Sequence, residues 1–308
     1  MIDFKKLITA GVHFGHQSSR WSPRMAPYIW GQKGGVHLVD VSKTAVQLEK
    51  AAKFLEGIAA EGKAILWVGT KKPAQAIILN AATQARCSYV THRWIGGTLT
   101  NHSQIRKSIT KYLHLVDVVK KAGEATHYTK KELNSFQKRI DRLEKNIGGI
   151  LHLKWPVGAV IVVDVKKEHS VVKEASSVGI PVVGLVDTNS DPVGVTIVIP
   201  GNDDAPRSIS CIIDYLTTAV QRGVEVAETK RKEEQERERI LLGERKKENA
   251  AKEAARAAKT AEAKSVAKAE VKPAAKTAPV KSAAKVEVKK NFKVEDKVDA
   301  DVQNVVKE

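Results

Sequence analysis

Short unbroken apolar runs, separated by stretches of helical period, constrain the fold of this chain most. Runs at 36–40, 64–68, 88–91, 159–163, 182–186 and 196–199 are continuous rather than alternating. Strands of that kind are covered on both faces, as in a parallel sheet. Between them, 42–60, 73–85, 167–178 and 203–222 carry apolar residues at helical spacing. Ser42 suits an N-cap, Pro73 suits a first helical turn, and Asn202 can cap the last helix. The alternation predicts an α/β fold, a flavodoxin- or Rossmann-like three-layer parallel sheet.

One insertion interrupts it. Ile105, Ile109, Tyr112, Val116 and Val119 step by four and three, as do Leu133, Phe136, Ile140, Leu143 and Ile147. Two such stripes can face each other along a heptad seam. A turn at Ala122-Gly123 separates them, the Thr129…Glu132 spacing is a capping box, and Gly148-Gly149 ends the second helix. An antiparallel coiled-coil helical hairpin over 101–147 is expected, and its self-contained seam should make it separable from the sheet.

Past Ala227 the composition changes. Aromatics nearly vanish, and Lys, Ala and Glu take over, with Pro from residue 273 onward. The stretch 228–249 is dense in both charges and can form a solvated helix. As a whole, 227–308 has little apolar surface to offset its ordering entropy. We therefore divide the chain into a core, 1–226, and a basic, largely disordered tail, 227–308.

The chain carries 52 Lys and Arg against 35 Asp and Glu, a net charge of +17. Polyphosphate is the usual neutralising partner of such a surplus. Two cysteines, Cys87 and Cys211, lie far apart and suggest neither a zinc ribbon nor a disulfide framework. No apolar run is long enough to span a bilayer, and the first ten residues do not read as a signal peptide. A cytoplasmic protein is expected.

Enzyme signatures are weak. Gly57 to Ala64 mimics a phosphate-binding loop, but Ala64 stands where magnesium needs a hydroxyl, and the motif precedes a strand. Asp40, Asp164 and Asp187 end predicted strands, where doubly wound folds bind ligands, and with Asp203 and Asp204 they could hold a cation. Turn and capping chemistry explains aspartates there as well. His13 and His16 have no third metal ligand placed by spacing. We expect no enzyme, metal or cofactor. A Rossmann-like enzyme acting on a nucleotide or sugar phosphate, the alternative, would need a closed pocket at that aspartate edge, with phosphate donors facing inward.

Cations interleaved with aromatics are more informative. Residues 16–30 read HQSSRWSPRMAPYIW, placing His16, Arg20, Trp21, Arg24 and Tyr28 in one Pro-punctuated segment. Cations there can neutralise phosphates, and exposed rings can stack on unpaired bases. Residues 91–101 repeat the idea with Arg93, Trp94 and Asn101 around a Gly pair. Lys71 and Lys72 follow Gly69 on a turn where doubly wound folds meet phosphates. Arg106 and Lys107 open the insertion. The RNA reading requires these cations to point outward on one connected surface.

The motifs AGVHFGHQ (10–17), W-x-P-x-M-x-P-x-I (21–29), WVGTKK (67–72), THRWIGGTLTN (91–101), VDTNSDP (186–192) and IPGNDDA (199–205) stand in this order. In them the chain closely resembles the bacterial small-subunit ribosomal protein S-two family over about 1–226. The resemblance implies a flavodoxin-like body with an inserted coiled-coil hairpin. It implies a structural, non-enzymatic role, binding small-subunit (16S-type) rRNA between head and body. It also implies contact with neighbouring small-subunit proteins and help in anchoring the OB-fold mRNA-binding protein S-one. The tail departs from the short, acidic-leaning end associated with that family.

Overall fold

The computed structural model describes residues 3–121 and 128–269, with side chains as far as Arg239 and at Leu241, Leu242 and Arg245. The turn expected at Ala122-Gly123 and the tail beyond Ala269 lie outside the described residues.

Five strands form the main sheet: β4 (Ala64–Val68), β5 (Ser88–Val90), β6 (Val157–Val163), β7 (Val182–Val186) and β8 (Ile197–Pro200). All neighbouring pairs are parallel, in the order β5-β4-β6-β7-β8. Numbered within this sheet, the order is 2-1-3-4-5, the flavodoxin-like winding, which reverses between β4 and β6. Strand residues alternate between two apolar clusters. Ile65, Trp67, Ile161 and Leu185 face one cluster, which α2 (Val41–Ala60), α3 (Lys72–Gln84) and Ile209 to Val220 of α7 (Pro206–Ala269) cover. Leu66, Val68, Val160 and Val186 face the other, which α6 (His169–Val178) and the inserted helices cover. Each fully buried Leu, Ile or Val side chain contributes roughly 1.5–3 kcal/mol.

A second, small sheet was not anticipated. After α1 (Phe4–Thr9), strands β1 (Phe14–Gln17), β2 (Ile29–Lys33) and β3 (Val36–Val39) pair antiparallel in the order β1-β3-β2. The run at 36–40 is therefore not a parallel strand. It belongs to this ribbon, and its residues are only partly buried apart from Val39. Asp40, not Ser42, caps α2, its carboxylate accepting from the Ser42 amide at 3.0 Å. Asn202 forms a turn ahead of α7, accepting from the amides of Asp204 and Ala205, and the helix starts at Pro206.

The inserted helices are α4 (His102–Lys121) and α5 (Lys130–Ile147), which pack on each other. Thr129 and Glu132 form the reciprocal capping box. The helices are not independent of the sheet. Ile105 and Ile147 are buried in the same cluster as Val68, Val90 and Trp94, with Ile109, Tyr112 and Leu143 packed against it. Gly149 lets the turn after α5 press on β5: a Cβ there would lie 2.2 Å from the Tyr89 carbonyl oxygen.

The described residues fall into two units, one up to Leu241 and a second from Leu242 onward. Residues 227–269, expected to be largely disordered, are helical within α7. Ala, Lys, Glu and Arg are strong helix formers, and no Gly beyond Gly243 and no Pro interrupts them before Pro273. Low apolar content argues against a packed core there, but not against a helix.

Candidate nucleic-acid interface

In doubly wound folds ligands bind outside the carboxyl ends of the strands, where the winding reverses. Here that crevice is filled by the chain's own side chains. Lys71 follows β4, and its Nζ lies 2.7 Å from Asp203 Oδ1, 2.6 Å from Asp204 Oδ1 and 3.6 Å from Asp164 Oδ2. The side chain is 19% exposed. Burial pulls its ammonium pKa down, but the hydrogen bonds to Asp203 and Asp204 outweigh this and hold it above its ordinary range. Beside it, Thr70 Oγ1 donates to the buried Glu168, and Lys167 Nζ donates to the Thr70 carbonyl at 3.0 Å. Asp164 also accepts from the Lys167 amide, closing its own turn. Asp203 feels the crowding most. Burial, then the charges of Asp187 and Asp164, push its carboxyl up to about 7 against the pull of Lys71.

The N-terminal segment covers the rest of this edge. The Asn202 amide donates to the Val12 carbonyl at 3.0 Å, and the Ser22 amide donates to the Thr188 carbonyl at 2.8 Å. The His16 amide donates to Thr188 Oγ1 at 2.8 Å. Gly15 permits this approach, since a Cβ there would lie 2.6 Å from the Thr188 methyl. His16 itself spans two carboxylates, with Nδ1 3.0 Å from Asp187 Oδ2 and Nε2 3.2 Å from Asp204 Oδ2. The hydrogen bond to Asp187 raises its pKa, against burial.

Three expected contact residues therefore do not point outward. Lys71 is the centre of an ion-pair network, and His16 is held between carboxylates. Trp94 is 9% exposed, with its indole Nε1 donating to Glu174 Oε1 at 3.1 Å. Glu174 also accepts from the amides of Gly97 and Leu99 and so shapes the whole 94–99 loop. Nothing in the sequence singles out Glu174, which reads as one polar residue on the face of an amphipathic helix. Tyr28 is half-buried against the second apolar cluster.

The remaining candidates are exposed. Arg20 and Trp21 stand on the turn after β1, and Trp21 lies 5.2 Å from the His37 ring. Arg24 is exposed and paired with Asp191. The small sheet adds Trp30, 76% exposed, and Lys33, exposed at the end of β2. Arg20, Trp21 and Arg24 thus lie exposed on the segment that joins β1 to β2, and Trp30 and Lys33 on β2 itself. Lys72 and Arg93, both exposed, follow the adjacent strands β4 and β5. Asn101, Arg106 and Lys107 are exposed around the start of α4. Of the strand-end aspartates, Asp40 caps α2, while Asp164 and Asp187 join the crevice network.

A family model described as "Ribosomal protein S2" matches residues 7–223. The small ribosomal subunit protein uS2 of Flavobacterium johnsoniae is 45% identical over 223 residues, covering 72% of this chain and 87% of the relative. That of Bdellovibrio bacteriovorus is 44% identical over 229 residues, with 74% and 73% covered. That of Treponema pallidum is 41% identical over 239 residues, with 76% and 82% covered.

Proposed function

The chain belongs to the ribosomal protein S2 family, and from that premise we propose that it binds small-subunit (16S-type) rRNA as a structural constituent of the small ribosomal subunit. Its role is in translation and is not enzymatic. The observation that carries the RNA reading is the exposure of Arg20, Trp21, Arg24, Trp30 and Lys33 along the single segment from the end of β1 to the end of β2. Arginines there can neutralise phosphates, and open rings can stack on unpaired bases. Lys72, Arg93, Asn101, Arg106 and Lys107 extend the candidate contacts around the neighbouring strand ends and the base of α4. The enzyme alternative needs a closed, ligand-sized pocket at the aspartate edge, and there Lys71 and the N-terminal segment occupy the space.

The likeness to the family further supports neighbouring small-subunit proteins, S-one among them, as partners, and the cytoplasmic ribosome as the place of action. Among the described residues no helix is long and apolar enough to cross a membrane. Sedimentation through high-salt gradients tests the assignment. The chain should travel with small subunits, and the combined Arg20→Ala, Trp21→Ala and Trp30→Ala variant should be released at lower salt. Small subunits that lack the chain should retain less S-one. A chain that stays at the top of the gradient would overturn the reading.

A further inference from the structure

We propose that the cleft between β5, α3 and the end of α5 receives one unstacked guanine base of an RNA strand, whose phosphates lie outside on Lys72, Arg93 and Lys145. The inference rests on the RNA reading above and assigns it a base-selective site on elements other than the β1–β2 segment. The cleft lies at the outer edge of the main sheet. β5 is an edge strand, and its Val90 carbonyl accepts from the Gly69 amide on the β4 side. Peptide groups alternate in direction along a strand, so those of Tyr89 and Thr91 turn away from β4. Gly149 marks the same direction, since a Cβ there would meet the Tyr89 carbonyl oxygen at 2.2 Å. Among the described residues no other backbone group pairs with the Tyr89 or Thr91 amide. A strand edge left bare in this way calls for polar partners.

The turn after α5 approaches this edge without closing over it. A cavity of about 240 Å³ remains, lined by Gln75, Tyr89, His92, Glu144, Lys145 and Asn146 among others. That is smaller than the ~300–1,000 Å³ of ordinary ligand pockets, and it suits a single heterocycle rather than a whole nucleotide cofactor. Tyr89 and His92 supply rings on which a base can stack. The Gln75 side-chain amide donates to the Thr70 carbonyl at 3.2 Å, so this wall is held in place before a ligand arrives. Lys72 stands one turn ahead of Gln75 on α3, and Arg93 follows His92. Both are exposed, as is Lys145, so cations rim the mouth where the phosphates of the strand would pass.

Glu144 sets the choice of base. An ionised carboxylate only accepts hydrogen bonds, so it favours a base with N–H donors side by side. Guanine offers N1–H next to its N2 amino group. Adenine and cytosine each set one amino group beside an acceptor nitrogen, and uracil sets its one N–H between two carbonyls. Lys145 and Asn146, on the same wall, can donate to guanine O6. The same carboxylate repels a bare anion, which argues against a free phosphate inside the cleft.

Fluorescence anisotropy of the full chain with two labelled RNA hexamers tests this, one all uridine and one with a single internal guanosine. The guanosine hexamer should bind about tenfold more tightly, the discrimination of one good bidentate base contact. Glu144→Gln should reduce that preference to less than about twofold and leave the affinity for the uridine hexamer unchanged. Glu144 is exposed, so the variant keeps the fold. Asp141→Asn removes the same charge one turn earlier on α5 and should keep the preference. Photo-crosslinking from thioguanosine at the guanosine position should label the peptide that holds residues 89–92. Equal affinity of the parent for the two hexamers, or no measurable binding of either, would overturn the base site. So would a preference that survives in Glu144→Gln or is lost equally in Asp141→Asn, or cross-links confined to residues 20–33. The RNA reading itself falls only if a small-subunit rRNA fragment is not bound, which separates the two failures.

Discussion

Lys71 shows how a residue read as a ligand contact turns into a structural one. From the sequence it follows Gly69 on a strand–helix turn, where a lysine ordinarily meets phosphate. Its partners, Asp164, Asp203 and Asp204, arrive from distant parts of the chain, and no local spacing announces them. Removing one partner of a buried pair leaves the others uncompensated, at a cost of roughly 3 kcal/mol. Lys71→Ala should therefore lower stability in urea unfolding by about that amount, whereas the exposed Arg93→Ala should change it by less than about 0.5 kcal/mol. Equal, small effects would contradict the crevice network. Glu168 offers a pH test of the same network. Burial raises its carboxyl pKa above the ordinary 4.5, against the Thr70 hydrogen bond and Lys167. A carboxyl that holds its proton more tightly when folded stabilises the fold in full below that ordinary value. The contribution is lost as pH rises through the raised value. Glu168→Gln keeps an acceptor for Thr70 and carries no charge. Its thermal midpoint should gain on the parent as pH rises from 4 to 7, and a constant difference across that range would count against this.

At the scale of elements, the parallel strands and their helices were legible because burial on both faces writes continuous apolar runs. The small sheet was not. β1 and β2 are short, hold glycine, histidine and glutamine, and bury little, so neither period nor propensity marks them. Apolar content alone could not tell Val36–Val39 from a parallel strand. The inserted helices were legible in their stripes and capping box, but not in their footing, since one stripe serves both the partner helix and the sheet. The expected clean separation of 105–147 therefore changes. Replacing 113–139 by a short Gly-rich linker should leave the thermal midpoint within a few degrees. Removing 105–147 takes away Ile105, Ile109, Leu143 and Ile147, uncovers Val68 and Val90, and should lower it by ten degrees or more. Indistinguishable melting of the two deletions would contradict that division.

For the whole molecule, net charge and motif order indicated a nucleic-acid partner, while the arrangement of charge required the fold. Part of the positive charge is used internally, as Lys71 shows, and part is displayed on the ribbon and around α4. From 227 onward the chain carries about 22 Lys and Arg against about 16 Asp and Glu, a surplus near +6 with almost nothing to bury. A chain of residues 1–226 should melt close to the full chain and bind RNA slightly more weakly as salt rises, whereas a large loss of stability would give the helix beyond 226 a structural role. The most direct test of the central claim is the salt dependence of binding to a small-subunit rRNA fragment. Each phosphate neutralised adds about 0.7–0.9 to the magnitude of the log–log slope. The parent should give a steep slope, and Arg20→Ala and Arg93→Ala should each reduce it by nearly one contact. A flat dependence in the parent would contradict the account.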